Sequence, residues 1–226
     1  MIDPGIKAIV FDLDGTLADT AADIREALVR ALATEDLPPV DLGSVRLMIG
    51  GGPRLLVIRA LDRLGLPDDD TRVERLTNAF HAEYLAQQNR LSQLFSGVAV
   101  GLERMKAAGL KLGLCSNKPD DLCRLLVDSF DLRDRLDVVL GSGAGLPRKP
   151  DPGPLLHVIE KLGATPGTAL YVGDSETDVK TARAAGVPVV LVSYGYTVRR
   201  ASQLGANAVV DSIAELAPPG PLAESA

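Results

Sequence analysis

The chain has no tryptophan, and all its aromatic residues together make up 4% of 226 positions. Its core must therefore be filled by leucine, valine, alanine and isoleucine, which suits buried parallel strands covered by helices. Cysteine is nearly absent as well. Cys115 closes an apolar run and Cys123 lies in the helical pattern that follows. Two such thiols fit buried, reduced side chains, not a disulfide framework or a metal pair. No apolar run approaches the length of a membrane span. The opening Met1-Ile2-Asp3-Pro4-Gly5 lacks the basic-then-apolar order of a signal peptide, so the expected compartment is the cytoplasm. An excess of positive charge is missing too. The 24 basic against 30 acidic side chains leave a net charge of -6. That argues against electrostatic binding to nucleic acid or to anionic membranes. Internal repeats and low-complexity runs are absent, and the Pro-, Gly- and Ala-rich tail 218–226 is expected to fray.

Hydrophobic residues make up 46% of the chain, enough to bury a real core. Residues 7–11 read as a first strand. Apolar positions at helical spacing then predict helices over 21–33, 42–49, 53–64 and 71–89, with no convincing strand among them. Leu37-Pro38-Pro39 breaks the first helix. Gly50-Gly51-Gly52 stops the second, and Pro53 opens the third. After residue 90 the rhythm changes to helix and strand in alternation. Helices are predicted over 101–108, 122–129, 154–162 and 177–185, and strands over 111–115, 138–140, 170–172, 187–192 and 208–210. Such alternation means an α/β fold, a doubly wound parallel sheet with a Rossmann-like core. The expected organisation is a catalytic core of residues 1–18 plus 91–226, with an all-helical cap domain, residues 19–90, inserted over the sheet's carboxyl edge. Hinge candidates are residues 19–20, 37–41 and 89–96.

The most informative segment is Val10-Phe11-Asp12-Leu13-Asp14-Gly15-Thr16-Leu17. Strand side chains alternate faces, so Asp12 and Asp14 point the same way if strand geometry lasts that far. Like charges that close repel, the more so when buried. A divalent cation relieves the repulsion, and oxygen ligands suit magnesium. Gly15 lets the backbone turn and brings its N–H groups toward an anion. The plain alternative is a solvated Asp-Gly turn. Three further segments fall in order: Cys115-Ser116-Asn117-Lys118 after a second apolar strand, Arg148-Lys149-Pro150-Asp151-Pro152, and Val172-Gly173-Asp174 with Asp178 four residues on. Each polar group follows the carboxyl end of a strand or lies in a loop, where open parallel sheets bind ligands. Each also has an ordinary structural use. Ser116 or Asn117 can cap a helix, Lys149 can be a surface lysine, and Asp174, Glu176 and Asp178 can complement a helix dipole.

The four segments in this order resemble the haloacid dehalogenase superfamily of phosphohydrolases over nearly the whole chain. The resemblance implies Asp12 as the nucleophile that forms an aspartyl-phosphate. Asp14 is implied as the acid that protonates the leaving group and then activates water, with its backbone carbonyl on the metal. It further implies phosphate contacts from Ser116, Asn117 and Gly15, a point charge from Lys149, and magnesium held by Asp12, Asp14, Asp174 and Asp178. Lys118 is expected to face solvent. The helical insert is expected to close over the site. Val45-Arg46-Leu47-Met48-Ile49-Gly50-Gly51-Gly52, with Tyr194-Gly195-Tyr196, resembles the bacterial phosphoglycolate phosphatases. Gly50, Gly51, Gly52, Arg54 and Arg46 are accordingly the candidates for recognising a small carboxylate-bearing phosphate ester, although a flexible helix connection with solvated arginines fits them equally. Cys115 and Ser116 depart from the Val and Thr more usual in that group. The expected partner is a small phosphorylated metabolite, and the expected state is monomer or homodimer. Alternatives are another small phosphate ester or pyrophosphate, a β-phosphoglucomutase-like transfer, and a non-catalytic binding module. A phosphonate hydrolase would need a cap lysine, and residues 19–90 contain none.

Overall fold

A computed structural model describes residues 3–87, 90–143 and 145–217. Six parallel strands form one sheet: β1 (Ala8–Phe11), β4 (Lys111–Pro119), β5 (Val138–Ser142), β6 (Ala169–Gly173), β7 (Val189–Val192) and β8 (Ala208–Val210). Their spatial order is β5-β4-β1-β6-β7-β8. The chain leaves β1 for β4 on one side and later returns to β6 on the other. This puts the carboxyl ends of β1, β4 and β6 side by side at the point where the strand order reverses.

The period of two is visible in what each strand buries. Ile9, Phe11, Leu112, Leu114, Leu170 and Val172 pack on one face, with Val98, Leu102 and Met105 of α5 (Val98–Ala107) and Leu126 of α6 (Asp120–Ser129). Val10, Tyr171, Val189 and Leu191 pack on the other, with Leu155 and Val158 of α7 (Gly153–Lys161) and Val179 and Ala182 of α8 (Glu176–Ala185). The third cluster belongs to the insertion. It joins α1 (Ala21–Ala33), α2 (Leu42–Met48), α3 (Pro53–Arg63) and α4 (Asp70–Gln87), and Leu122 of the core reaches into it. In α1 the predicted stripe Ile24, Ala27, Leu28, Ala31 and Leu32 is wholly buried.

Several elements differ from the sequence expectation, three of them by more than a residue or two. β4 runs on to Pro119, because its register against β5 shifts after Cys115 and resumes at Pro119 opposite Ser142. Ser116, Asn117 and Lys118 are therefore buried strand residues, not a loop. Helix α5 starts at Val98, and Gly101 lies inside it, where a side chain would meet the backbone of Ala214 at 3.1 Å. The crossings into and out of the insertion also pair with each other, β2 (Ala18–Asp19) antiparallel to β3 (Gln93–Leu94). The segment 37–41 instead joins α1 to α2 within the insertion. Asn89 and the tail 218–226 lie outside the described residues. Among the described residues no helix is long and apolar enough to cross a membrane.

Asp23 ties the two crossings together. Its buried carboxylate accepts the backbone N–H groups of Leu91 and Ser92 and the Ser92 hydroxyl. Gln87 donates to the Asp23 carbonyl at 2.7 Å. Asp23→Ala leaves these part-buried donors without their acceptor. It is expected to cost about 1–3 kcal/mol in denaturant unfolding, while a substitution of the exposed Glu103 costs nothing measurable.

Candidate active site

Asp12 follows β1 directly, and its N–H donates to the Val172 carbonyl at 2.9 Å, which fixes it beside the end of β6. The chain then turns sharply, with Gly15 at φ +82°, a backbone that L side chains rarely adopt. A side chain at Gly15 would also lie 2.5 Å from Asp174 Oδ2. The Gly15 N–H donates to the Ala18 carbonyl, so this glycine serves the turn and the clearance beside Asp174. Gly173 and Gly195 give similar clearance. A Cβ at Gly173 would approach Asp178 Cγ to 2.4 Å, and one at Gly195 would approach Asp174 Cβ to 2.2 Å.

Asp12, Asp174 and Asp178 are buried, with carboxylate oxygens within 4.8 Å of one another. Lys149 stands among them. Its Nζ lies 3.1 Å from Asp12 Oδ1 and donates to Asp178 Oδ1 at 2.8 Å and to the Tyr171 hydroxyl at 2.7 Å. Burial disfavours the charged form of Lys149, but the charges of Asp12 and Asp178 outweigh it and hold the ammonium form. Asp178 is saturated. Its Oδ1 takes Lys149 and Tyr171, and its Oδ2 takes the Ser175 hydroxyl and the N–H groups of Ser175 and Asp174. Burial would raise its pKa, yet Lys149 and these hydrogen bonds pull it below the usual value. It closes the capping box of α8 as well, so the helix-terminus role and the site role fall on one residue.

Asp12 and Asp174 are less well supplied. Burial drives the Asp12 pKa from the ordinary 3.8 up to about 6, with Lys149 opposing and Asp178 and Asp14 adding to the rise. Burial and then Asp178 raise Asp174 well above the usual range, although it accepts the Tyr196 N–H at 2.7 Å. Asp12 Oδ1 is buried without a hydrogen bond. Three buried carboxylates against one lysine leave an unbalanced negative charge, and the donor set is all oxygen. Both features fit magnesium.

Asp14 is turned to a different partner. The Thr20 hydroxyl donates to its Oδ1 at 2.6 Å, and Lys118 Nζ lies 3.1 Å from the same oxygen. Lys118 therefore does not face solvent as expected. The extension of β4 carries it inward, and its ammonium lies 4.2 Å from the ring centre of Tyr84 of α4. Asn117 is spent on backbone. Its amide donates to the carbonyls of Gly50 and Lys149 and accepts the Lys149 N–H, which clamps the lysine loop to β4 and to the insertion.

A small cavity opens over these groups. Asp12, Asp14, Ser116, Asn117 and Lys118 line it from the core, and Ile24, Ile49, Gly50, Gly52, Leu56 and Phe80 from the insertion. Gly51 is not among the lining residues. Gly52 packs close, since a Cβ there would lie 3.0 Å from the Asn117 carbonyl. The two arginines are elsewhere: Arg54 pairs with Asp70 within the insertion, and Arg46 pairs with Asp19 at 3.0 Å.

Three tyrosines beyond the expected site residues brace the site. Tyr171 orients Lys149 and Asp178. The Tyr194 hydroxyl donates to the Thr16 carbonyl at 2.8 Å. The Tyr196 hydroxyl donates to Asp19 Oδ1 and accepts the N–H groups of Thr20 and Ala21 at the start of α1. The available signal was a polar ring inside an apolar strand for Tyr171, and two tyrosines around a glycine just past a strand for the others.

The model of the haloacid dehalogenase-like hydrolases matches residues 9–192. The phosphoglycolate phosphatase of Rhodospirillum rubrum is 42% identical, over 93% of this chain and 89% of its own length. That of Caulobacter vibrioides is 40% identical, over 92% and 88%. The crystal structure of a predicted phosphoglycolate phosphatase from Haemophilus somnus superposes with a TM-score of 0.87 at 29% identity, covering 94% of this chain and 96% of that one.

The folded state holds the Asp12 proton more tightly than the unfolded chain does. In metal-free protein the stability from this group is therefore lost as pH rises from about 4 through about 6. A cation that replaces the proton acts in the opposite sense. The expected outcome is that magnesium raises the thermal midpoint more near pH 7.5 than near pH 5. Asp174→Asn should raise the metal-free midpoint at neutral pH and remove most of the magnesium response.

Proposed function

The chain belongs to the haloacid dehalogenase-like hydrolases, and from that membership and the geometry above we propose that it is a magnesium-dependent phosphomonoesterase that converts 2-phosphoglycolate to glycolate and inorganic phosphate. The observation that carries this reading is the buried Asp12 oxygen that no hydrogen bond occupies, 3.1 Å from the Lys149 ammonium on a residue that lines the cavity. A carboxylate buried so that only an ion pair offsets the desolvation of this oxygen is costly for stability, and a carboxylate on the cavity wall can act as a nucleophile toward phosphorus.

In this reading Asp12 displaces the alkoxide from phosphorus and becomes an aspartyl-phosphate. Asp14, protonated at that stage, gives its proton to the leaving oxygen. The resulting Asp14 carboxylate then takes a proton from water as the water attacks the phosphoryl group. This frees Asp12 and returns the proton to Asp14. Thr20 holds Asp14 in place through both steps. Lys149, fixed by Tyr171 and Asp178, sets positive charge beside the phosphoryl oxygens, and Ser116 adds a hydroxyl donor. Asp12, Asp174 and Asp178 would hold magnesium, which neutralises the charge of the transferring group when bound.

The substrate follows from two supports. The relatives at about 40% identity carry the name phosphoglycolate phosphatase, and the cavity suits a small ester. The insertion, residues 19–90, acts as the cap, with Gly50 and Gly52 over the leaving group and the paired crossings β2 and β3 as its hinge.

The test is phosphate release from 2-phosphoglycolate and a panel of other small esters, with magnesium and with chelator. The expected result is a strong preference for 2-phosphoglycolate that chelation abolishes. Broad magnesium-dependent release without preference would overturn the substrate, and no release from any ester would overturn the hydrolase reading for this chain. Asp12→Asn should lower turnover by at least about 10³-fold while the fold, followed by circular dichroism, is kept.

A further inference from the structure

We infer that Lys118 is the residue that receives the substrate's carboxylate, and so sets the specificity of the site; this rests on the phosphoglycolate reading above. Lys118 is the only basic side chain among the described residues that line the cavity. Lys149 is already committed to Asp12, Asp178 and Tyr171. The arginines of the insertion are engaged outside the cavity, Arg46 with Asp19, Arg54 with Asp70 and Arg59 with the Met48 carbonyl. The insertion's share of the wall is apolar or glycine, namely Ile24, Ile49, Leu56 and Phe80 beside Gly50 and Gly52. A carboxylate brought against that wall without a counter-charge would lose its hydration for nothing.

The distances place the cation where the chemistry needs it. Asp14 is the group that touches the bridging oxygen of the ester, and Lys118 Nζ lies 3.1 Å from Asp14 Oδ1 and 3.5 Å from Oδ2. In 2-phosphoglycolate a single methylene separates that bridging oxygen from the carboxylate. A carboxylate so close to Asp14 falls within reach of the ammonium. Lys118 has donors to spare, because an ammonium carries three protons and Asp14 takes two at most. Asp14 keeps the Thr20 hydroxyl if the lysine turns partly to the ligand. The side chain is 4% exposed and rests over the Tyr84 ring, so the cation is held in place before the ligand arrives. The same pair gives Asp14 a partner that the substrate then shares.

The test separates recognition from acid catalysis by measuring binding of ligands that do not react. 3-Phosphonopropionate has the shape and both charges of the substrate, and propylphosphonate lacks only the carboxylate. Calorimetric titration with magnesium present is expected to show the first bound roughly tenfold to a hundredfold more tightly. In Lys118→Met that preference should collapse toward unity while the affinity for propylphosphonate changes little, and Lys118→Arg should retain part of it. Lys118→Gln, of similar length and polar, carries the same expectation if the methionine variant does not fold. A preference that survives in the neutral variants would overturn the assignment. So would its loss in Arg148→Ala, whose guanidinium lies beside Gly52 but outside the cavity lining. Preferred turnover of 2-phosphoglycolate without preferred binding of 3-phosphonopropionate would reject Lys118 alone. Absence of both would reject the substrate reading with it.

Discussion

The constraint on which the rest of the structure depends is the crowding of Asp12, Asp174 and Asp178 around one ammonium group. Three buried carboxylates cannot share Lys149 equally. The fold resolves this by giving nearly every available donor to Asp178 and leaving Asp12 and Asp174 short. Electrostatic strain is thus confined to Asp12 and Asp174, while Asp178 acts as a fixed anchor. The surrounding backbone is shaped to allow it. Glycines at 15, 173 and 195 stand where any side chain would strike one of the carboxylates.

The same economy of space links the core to the insertion. Asn117 uses one side chain to hold the Lys149 loop and the Gly50 carbonyl together. The loop after β7 grips the turn after β1 through Tyr194, reaches the first turn of α1 through the Tyr196 hydroxyl, and holds Asp174 through the Tyr196 N–H. The insertion returns the contact by laying Tyr84 over Lys118, which is itself paired with Asp14. The insertion is therefore joined to Asp14 and to Asp174 through bonded groups, not through a long chain of packing.

How much could be read beforehand depended on whether the signal was local. The α1 stripe and the strands β1 and β6 were legible because buried periodicity is written in consecutive residues. The expected carboxylates, Ser116 and Lys149 could be named because their four segments, at strand ends or in loops, follow in the order that resembles the family. The full run of β4 was not legible. Ser116-Asn117-Lys118 is polar, and only its pairing beside β5 carries it inward and makes Lys118 a buried cation. The pairing of β2 with β3 was equally hidden, since two-residue strands some seventy positions apart have no pattern of their own.

The sequence by itself determined the alternation of apolar strands and amphipathic helices, the helical block after β1, and the acidic and basic residues set at strand ends. Each is a property of neighbours along the chain, so periodicity and turn chemistry suffice. Only the tertiary structure decided which charges meet. It gave Lys149 to Asp12 and Asp178, Lys118 to Asp14, and Arg46 to Asp19, and it kept Arg54 away from the cavity. A charge has no preferred partner in sequence. Its partner is whichever opposite group the packed strands bring within a few ångströms, where burial makes the pairing obligatory.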